Sequence, residues 1–467
     1  MILACVTQIV IRHPLTVEKK GHLSMTISDI QFSPDEPAFF SSAAARWQVH
    51  GPAYEVHPVQ LGAAADRCFE RHSAAEVALI AAPFVSDAPD APAVLVAGVQ
   101  DDSAGATTTA AIASTAAPQF GQPEERPPRE IFESRVAAAV EMMRTEQDTP
   151  AADALRKVVL GRQLRLPFTA GETPASTQVG DPTDTPTTVA ARLREGLDAG
   201  NGAGFGFTIP LGHGGALVGR SPELLLRRTG REVESTPLAG SAPRTGDPVQ
   251  DARTRQRLLS SAKDQQEHLY VVNNVARLLR SVCSKVIVPD GPEIFETETM
   301  LHLGTRIRGI LNPGRDGTVP GAFELSELLH PTPAVCGTPT DRARQLIADV
   351  EKPRRYFAGL VGWQDRQGDG ETAVTIRCAE ITPRSVELFA GAGIISDSDP
   401  SSEADETLNK MRTVLRALGV EQDATGHRRA VSSAGTDVTN VTDGSDGRVD
   451  WAGGDGSIAN PLPEAAR

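Results

Sequence analysis

The chain has 467 residues, 40% hydrophobic and 23% charged, so it carries ample apolar surface for a core and is not disordered throughout. Sixty acidic against 46 basic residues give a formal charge of -14, which argues against general affinity for nucleic acid or an anionic membrane surface. An anionic ligand therefore needs a local basic site or a metal, and five scattered cysteines without metal-type spacing fit a reducing cytoplasm.

Residues 1–10 are too short to span a bilayer and have no leading basic region, so no targeting or membrane segment is expected. More conventional sequence begins at Met25, which leaves 1–25 as a possible N-terminal extension. Residues 101–122 and 169–188, rich in Thr with Ala, Ser, Pro, Gly or Asp, read as surface insertions. Beyond Val420 the composition turns to Gly, Ser, Asp and Thr, and 421–467 reads as a disordered acidic tail. The stretch 26–420 alternates strand and helix without a linker or repeat and reads as a single large domain, with a variable part over 26–150 and a catalytic part over 150–420.

Within it, 216–218 and 223–228 are extended, Thr229-Gly230 is a turn, and 232–238 returns. A helix is expected over 251–283, with one apolar stripe of Leu258, Ala262, Leu269, Val272, Ala276 and Leu279. A second stripe holds Val271, Val275, Leu278 and Val282. A second antiparallel pair runs over 372–381, turns at Pro383-Arg384 and returns over 386–390. A last helix follows Asp399-Pro400 with Ser401 or Ser402 as N-cap. Antiparallel sheets with helices packed around them give an α+β class.

Several polar residues stand where solvation is difficult. Lys157 opens an apolar run, where burial would lower its pKa toward that of a general base; the alternative is a strand-edge lysine whose head reaches water. Glu223, between Ser221-Pro222 and three leucines, is a candidate general acid or a solvated residue at a strand start. Asp264 and Glu267 sit one turn apart, with Lys263 as a possible partner. Glu403, Glu406 and Lys410 share a face of the last helix. Carboxylates from two helices suit magnesium, although acids near a helix N-terminus also simply meet its dipole. Arg377 is expected on a strand, either clamping a carboxylate or pairing with Glu380 or Glu387. Gly391-Ala392-Gly393 allows close backbone approach but is too short for a dinucleotide fingerprint.

These residues lie in runs that occur in a set order: Lys157-Val158-Val159-Leu160, Ser221-Pro222-Glu223-Leu224, Thr236-Pro237-Leu238-Ala239-Gly240-Ser241, Lys263-Asp264-Gln265-Gln266-Glu267-His268, His302-Leu303-Gly304-Thr305, His330-Pro331-Thr332-Pro333, Ile376-Arg377-Cys378-Ala379-Glu380, and Gly391 through Lys410. The ordered set resembles the chorismate-utilising enzymes over roughly 150–420. The resemblance implies two large antiparallel β-sheets flanked by helices in one domain, with the active site between them.

By the same resemblance Lys157 is the base that activates water for attack at ring C2, and Glu223 the acid that protonates the departing C4 hydroxyl. Glu267 and Glu406 hold magnesium directly, Asp264 and Glu403 support it through water, and Gly240, Ser241, His302, Arg377, Gly391, Gly393 and Lys410 line the substrate site. A lysine at 157 suits water as nucleophile, where the ammonia-using anthranilate branch carries glutamine. Ala239 cannot form the covalent intermediate of the aminodeoxychorismate branch. Ala334 departs from the threonine of salicylate synthases. The isochorismate synthase branch is thus implied, serving siderophore or menaquinone supply, with salicylate synthase or a silent chorismate-binding paralogue as alternatives. Chorismate is the expected partner. No glutamine amidotransferase subunit, nucleic acid or membrane is expected, and a cytoplasmic monomer is.

Overall fold

Alternation with a period of two divides the strand Val77–Ala82 between two cores. Val77, Leu79 and Ala81 face one apolar cluster, while Ala78, Ile80 and Ala82 face another. Such a strand is covered on both sides, and its unbroken apolar run is what that position demands. In this computed structural model the first cluster lies between two sheets packed face to face, where Phe40, Phe207, Ile209 and Leu217 from one meet Leu79, Val96 and Val361 from the other. The second cluster lies beneath the helices Leu61–Arg71, Ala262–Val282, Ala322–Leu329 and Thr340–Val350. A third fills the outer face of the opposite sheet under Pro186–Asp198 and Pro400–Ala417. Burying a side chain such as Leu79 or Ile80 contributes about 1.5–3 kcal/mol.

The structure describes residues 26–422 and 428–430, except 31–36, 58–59, 86–90, 101–117, 149–153, 170–185, 200–202 and 316. The extension 1–25, most of both insertions and most of the tail lie outside the described residues. The class is α+β, and the strand pairings are antiparallel. The two expected sheets join, because Ala93–Gln100 pairs with Ala53–His57 and Val77–Ala82 in one and, by its last residues, with Arg46–His50 in the other. The result is one curled 19-stranded sheet, accompanied by a three-stranded and a two-stranded one. Among the described residues no helix is long and apolar enough to cross a membrane.

Both expected hairpins form, as Leu224–Thr229 with Glu232–Thr236 and as Cys378–Ile381 with Ser385–Ile394. The single helix expected over 251–283 is instead two, Pro248–Ser260 and Ala262–Val282. Ser261 is extended (φ -71°, ψ 114°) and its side chain accepts from Asp264 N, so the serine caps a new helix rather than continuing the old one. Of the first expected stripe Leu258, Val272, Ala276 and Leu279 are buried but Leu269 is 49% exposed, while Val271 and Val275 of the second are fully buried. The last helix is capped by Asp399, not by Ser401 or Ser402. Its carboxylate accepts from Ser402 N, and Pro400 occupies the first turn, where no N–H is needed.

Candidate active site

Two chain segments pass side by side from one sheet face to the other. Gly215–Ser221 pairs with Cys378–Ile381, and beyond the passage Leu224–Thr229 pairs with Gly370–Val374. Residues 222–223 and 375–377 belong to neither ladder, and Glu223 and Arg377 are among them. Arg377 was expected on a continuous strand; it is a bend with φ 52°. A left-handed non-glycine residue costs on the order of 1 kcal/mol. Here it is held by Arg220 N donating to Arg377 O (3.1 Å) and Ile376 N to Val374 O (2.9 Å). Gly219 makes room beneath, since a Cβ there would lie 2.6 Å from Cys378 Cβ. The expected partners are engaged elsewhere: Glu380 accepts from Arg355 at 2.7 Å and Glu387 stands beside Arg165. Arg377 lines a cavity, where burial lowers its pKa to about 10 against the opposing charges of Glu406 and Glu223.

That cavity, about 60 Å³, is lined by ten of the expected residues: Glu223, Gly240, Ser241, Glu267, His302, Arg377, Gly391, Gly393, Glu406 and Lys410. Glu223 is 2% exposed and accepts a long bond from Leu238 N (3.4 Å). Burial raises its pKa to about 7, more than Leu238 and the cations Lys157, Arg377 and Lys410 lower it. His302, on Met300–Gly304, is buried with Nε2 unpartnered, and burial beside Arg377 and Lys410 holds it well below the ordinary imidazole range. Gly240 has φ 84° and brings backbone against Asp264, with a hypothetical Cβ 3.2 Å from Oδ1.

Lys157, Asp264 and Glu403 stand behind this lining. The Lys157 side chain is wholly buried, its Nζ 3.1 Å from Glu267 Oε1, which excludes the water-exposed alternative. Lys263, expected beside Asp264, instead reaches Glu403 Oε1 at 2.5 Å across the gap between the helices. Lys410 Nζ lies 2.5 Å from Glu406 Oε1 and donates to Gly391 O at 2.8 Å, while Ser241 Oγ donates to Glu406. Three acids thus each hold a lysine. Burial and the charge of Glu406 raise Glu403 to about 7 despite Lys263. Burial also opposes ionisation of Glu406, but Lys410 and Lys263 outweigh it and hold the carboxyl low. Asp264 is raised by burial and by the charges of Glu267 and Glu406.

With the side chains so engaged, no three acid, imidazole or thiol groups among the described residues stand as a metal-ligand set. The donor chemistry nonetheless fits a hard divalent cation. All four acids offer oxygen, they feel one another's charge, and Glu403 Oε2 is buried without a hydrogen-bond partner.

Phe357 and Ile376 also line the cavity and were not foreseen. Phe357 is aimed by Arg355 and Ala358 in left-handed backbone (φ 52° and 61°), a conformation without a signature in those residue types.

The profile of a family described as chorismate binding enzyme matches residues 73–419. The chain is 53% identical over 206 residues to isochorismate synthase DhbC of Bacillus subtilis, covering 44% of this chain and 51% of that one. It is 40% identical over 295 residues to isochorismate synthase EntC of Escherichia coli, covering 63% and 68%. The match thus spans about half the length of the first relative and two thirds of the second. A solved structure assigned as the 2,3-dihydroxybenzoate-specific isochorismate synthase DhbC of Bacillus anthracis superposes with a TM-score of 0.68 at 32% identity, over 83% of this chain and 97% of that one.

Proposed function

The chain belongs to the chorismate binding enzyme family, and from that premise we propose that it converts chorismate to isochorismate, an isomerisation in which water adds at C2 and the C4 hydroxyl departs. The observation that carries this reading is a carboxyl and an ammonium at one buried site: Glu223, with its pKa raised to about 7, and Lys157, wholly enclosed behind Glu267. Water addition needs a proton taken up and hydroxide loss needs one supplied, and the two groups serve one transfer each.

Burial raises the Glu223 carboxyl to about 7, which keeps a proton available for it to give to the leaving oxygen. Lys157 takes a proton from the attacking water, and Glu267, 3.1 Å from its Nζ, holds the side chain in place for that transfer. One water is consumed and one released, so the reaction balances as an isomerisation. Arg377 and Lys410 supply positive charge for a substrate carboxylate, and His302, kept neutral, presents a ring nitrogen without adding charge.

Glu267 and Glu406 would hold magnesium directly, with Asp264 and Glu403 behind them. Bound there, the ion supplies the charge that neutralises the ring carboxylate of a dianion. With water as nucleophile, no ammonia-delivering subunit is needed. The likeness to the 2,3-dihydroxybenzoate-specific enzyme of Bacillus anthracis, over 97% of that chain, favours supply of a 2,3-dihydroxybenzoate-type route over menaquinone. The test is incubation of purified protein with chorismate and magnesium followed by chromatography: isochorismate is the expected product, and salicylate, anthranilate or unchanged chorismate would refute the reading.

A further inference from the structure

The cavity at Glu223 shares a wall with a second one of about 240 Å³, and the side chain common to both is Phe357. The strands Lys157–Pro167 and Ser385–Ile394 set Gly161 directly opposite Gly391, so neither strand offers a side chain at that level. A Cβ on Gly161 would lie 3.5 Å from Phe357 Cε1 and one on Gly391 3.6 Å from Cζ, so the ring occupies the space the two glycines leave. On the same face of this ladder Gly393 abuts Glu267 and Lys157 on the catalytic side. Towards the second cavity Gln163 stands opposite Phe389, which stacks on Phe357 at 5.4 Å. The Phe357 ring thus lies over a glycine pair of which Gly391 lines the first cavity and Gly161 the second.

The second cavity is basic in a chain of charge -14. Its two carboxylates are already matched: Glu125 pairs with buried Arg162 at 2.7 Å, and Glu351 pairs with buried Arg354 at 2.7 Å. Half-buried Arg135 and exposed Lys352 remain as excess positive charge at its rim.

We propose that the second cavity is the vestibule through which a dicarboxylate substrate reaches the site, with the Phe357 ring as the gate between them. This rests on the chorismate reading above. The turn bearing Phe357 is fixed at both ends, by Arg355 on Glu380, by Tyr356 Oη donating to Pro92 O (2.8 Å) and by Ala358 N donating to Thr375 O (2.8 Å). Opening is therefore rotation of the ring rather than movement of the loop.

The experiment compares Lys352→Glu with Arg308→Glu, the same charge change at a 61% exposed side chain that lines neither cavity. At low ionic strength kcat/KM for chorismate falls about five- to tenfold in the first and little in the second, and the difference shrinks with added salt. A second pair, Lys352→Cys and Arg308→Cys, is made in a Cys5→Ser background and alkylated with a bulky maleimide; Cys68, Cys283, Cys336 and Cys378 are buried and do not compete. Alkylation slows turnover at 352 and not at 308, with melting temperatures unchanged. Equal effects within both pairs overturn the vestibule. If the wild-type protein makes a different product from chorismate, the isochorismate reading falls while the same ratios still decide the route; a chain that does not turn chorismate over overturns both.

Discussion

Gly393 and Glu267 occupy one another's space: a Cβ on the glycine would lie 2.0 Å from Glu267 Oε1 and 3.2 Å from Lys157 Cε. Gly393→Ala must therefore displace the carboxylate or the ammonium. A displacement of about 1 Å at reacting groups costs on the order of 10²-fold in rate. Loss of that size is expected in kcat with the fold intact by circular dichroism, and near-normal kcat would show that neither group needs its present position.

On the proposed reading Glu223 sets the alkaline limb of activity. With its carboxyl raised to about 7, turnover falls as pH rises through that value, because the acid form is lost. Glu223→Gln lowers kcat by about 10²- to 10⁴-fold and removes the limb. A pH–rate profile of the two proteins checks both statements.

The same carboxyl and His302 give stability slopes of opposite sign. The folded state binds the Glu223 proton more tightly than the unfolded chain, so this group stabilises at low pH, and its contribution is lost as pH rises from the ordinary carboxylate value toward about 7. His302 is held neutral, so below about 6.5 the unfolded chain gains a proton that the folded one refuses, and stability falls with pH. Denaturant titrations between pH 5 and 8 should show a shallower acid-side decline in His302→Gln. An unchanged slope would mean that the imidazole is not kept neutral by the fold.

On the same reading Lys157→Ala removes the base and should lower kcat by about 10²- to 10⁴-fold. Combined with Glu223→Gln, it should be little worse than the worse single variant, since two transfers within one displacement act as a unit. Multiplicative losses would assign the residues to separate steps. Thermal melting accompanies each measurement because Lys157 is wholly buried.

Magnesium should raise the melting temperature of the wild-type chain, by linkage to the folded state. Chelation should abolish turnover and added magnesium restore it. In Glu406→Gln both responses weaken. Full activity in chelator with no bound metal would remove the ion from the proposal.

By itself the sequence determined the α+β class, the two hairpins and an ordered set of runs that places the chain in its family. These features are local: a period of two, a Thr229-Gly230 turn and glycines at contact points leave their mark within a few residues. What only the tertiary structure decided concerns distance and competition. Lys263 has Asp264 beside it in sequence yet reaches Glu403, 140 positions away, because the packing of two helices sets the distance between their side chains. Ser261 breaks a helix that its apolar pattern would continue, because a capping side chain satisfies Asp264 N better than another turn would. Arg377 leaves its strand at the point where two segments change sheets, and Phe357 closes the gap between two glycines that meet only in the assembled ladder. Each of these positions is set by groups distant in the chain, whose approach no local pattern encodes.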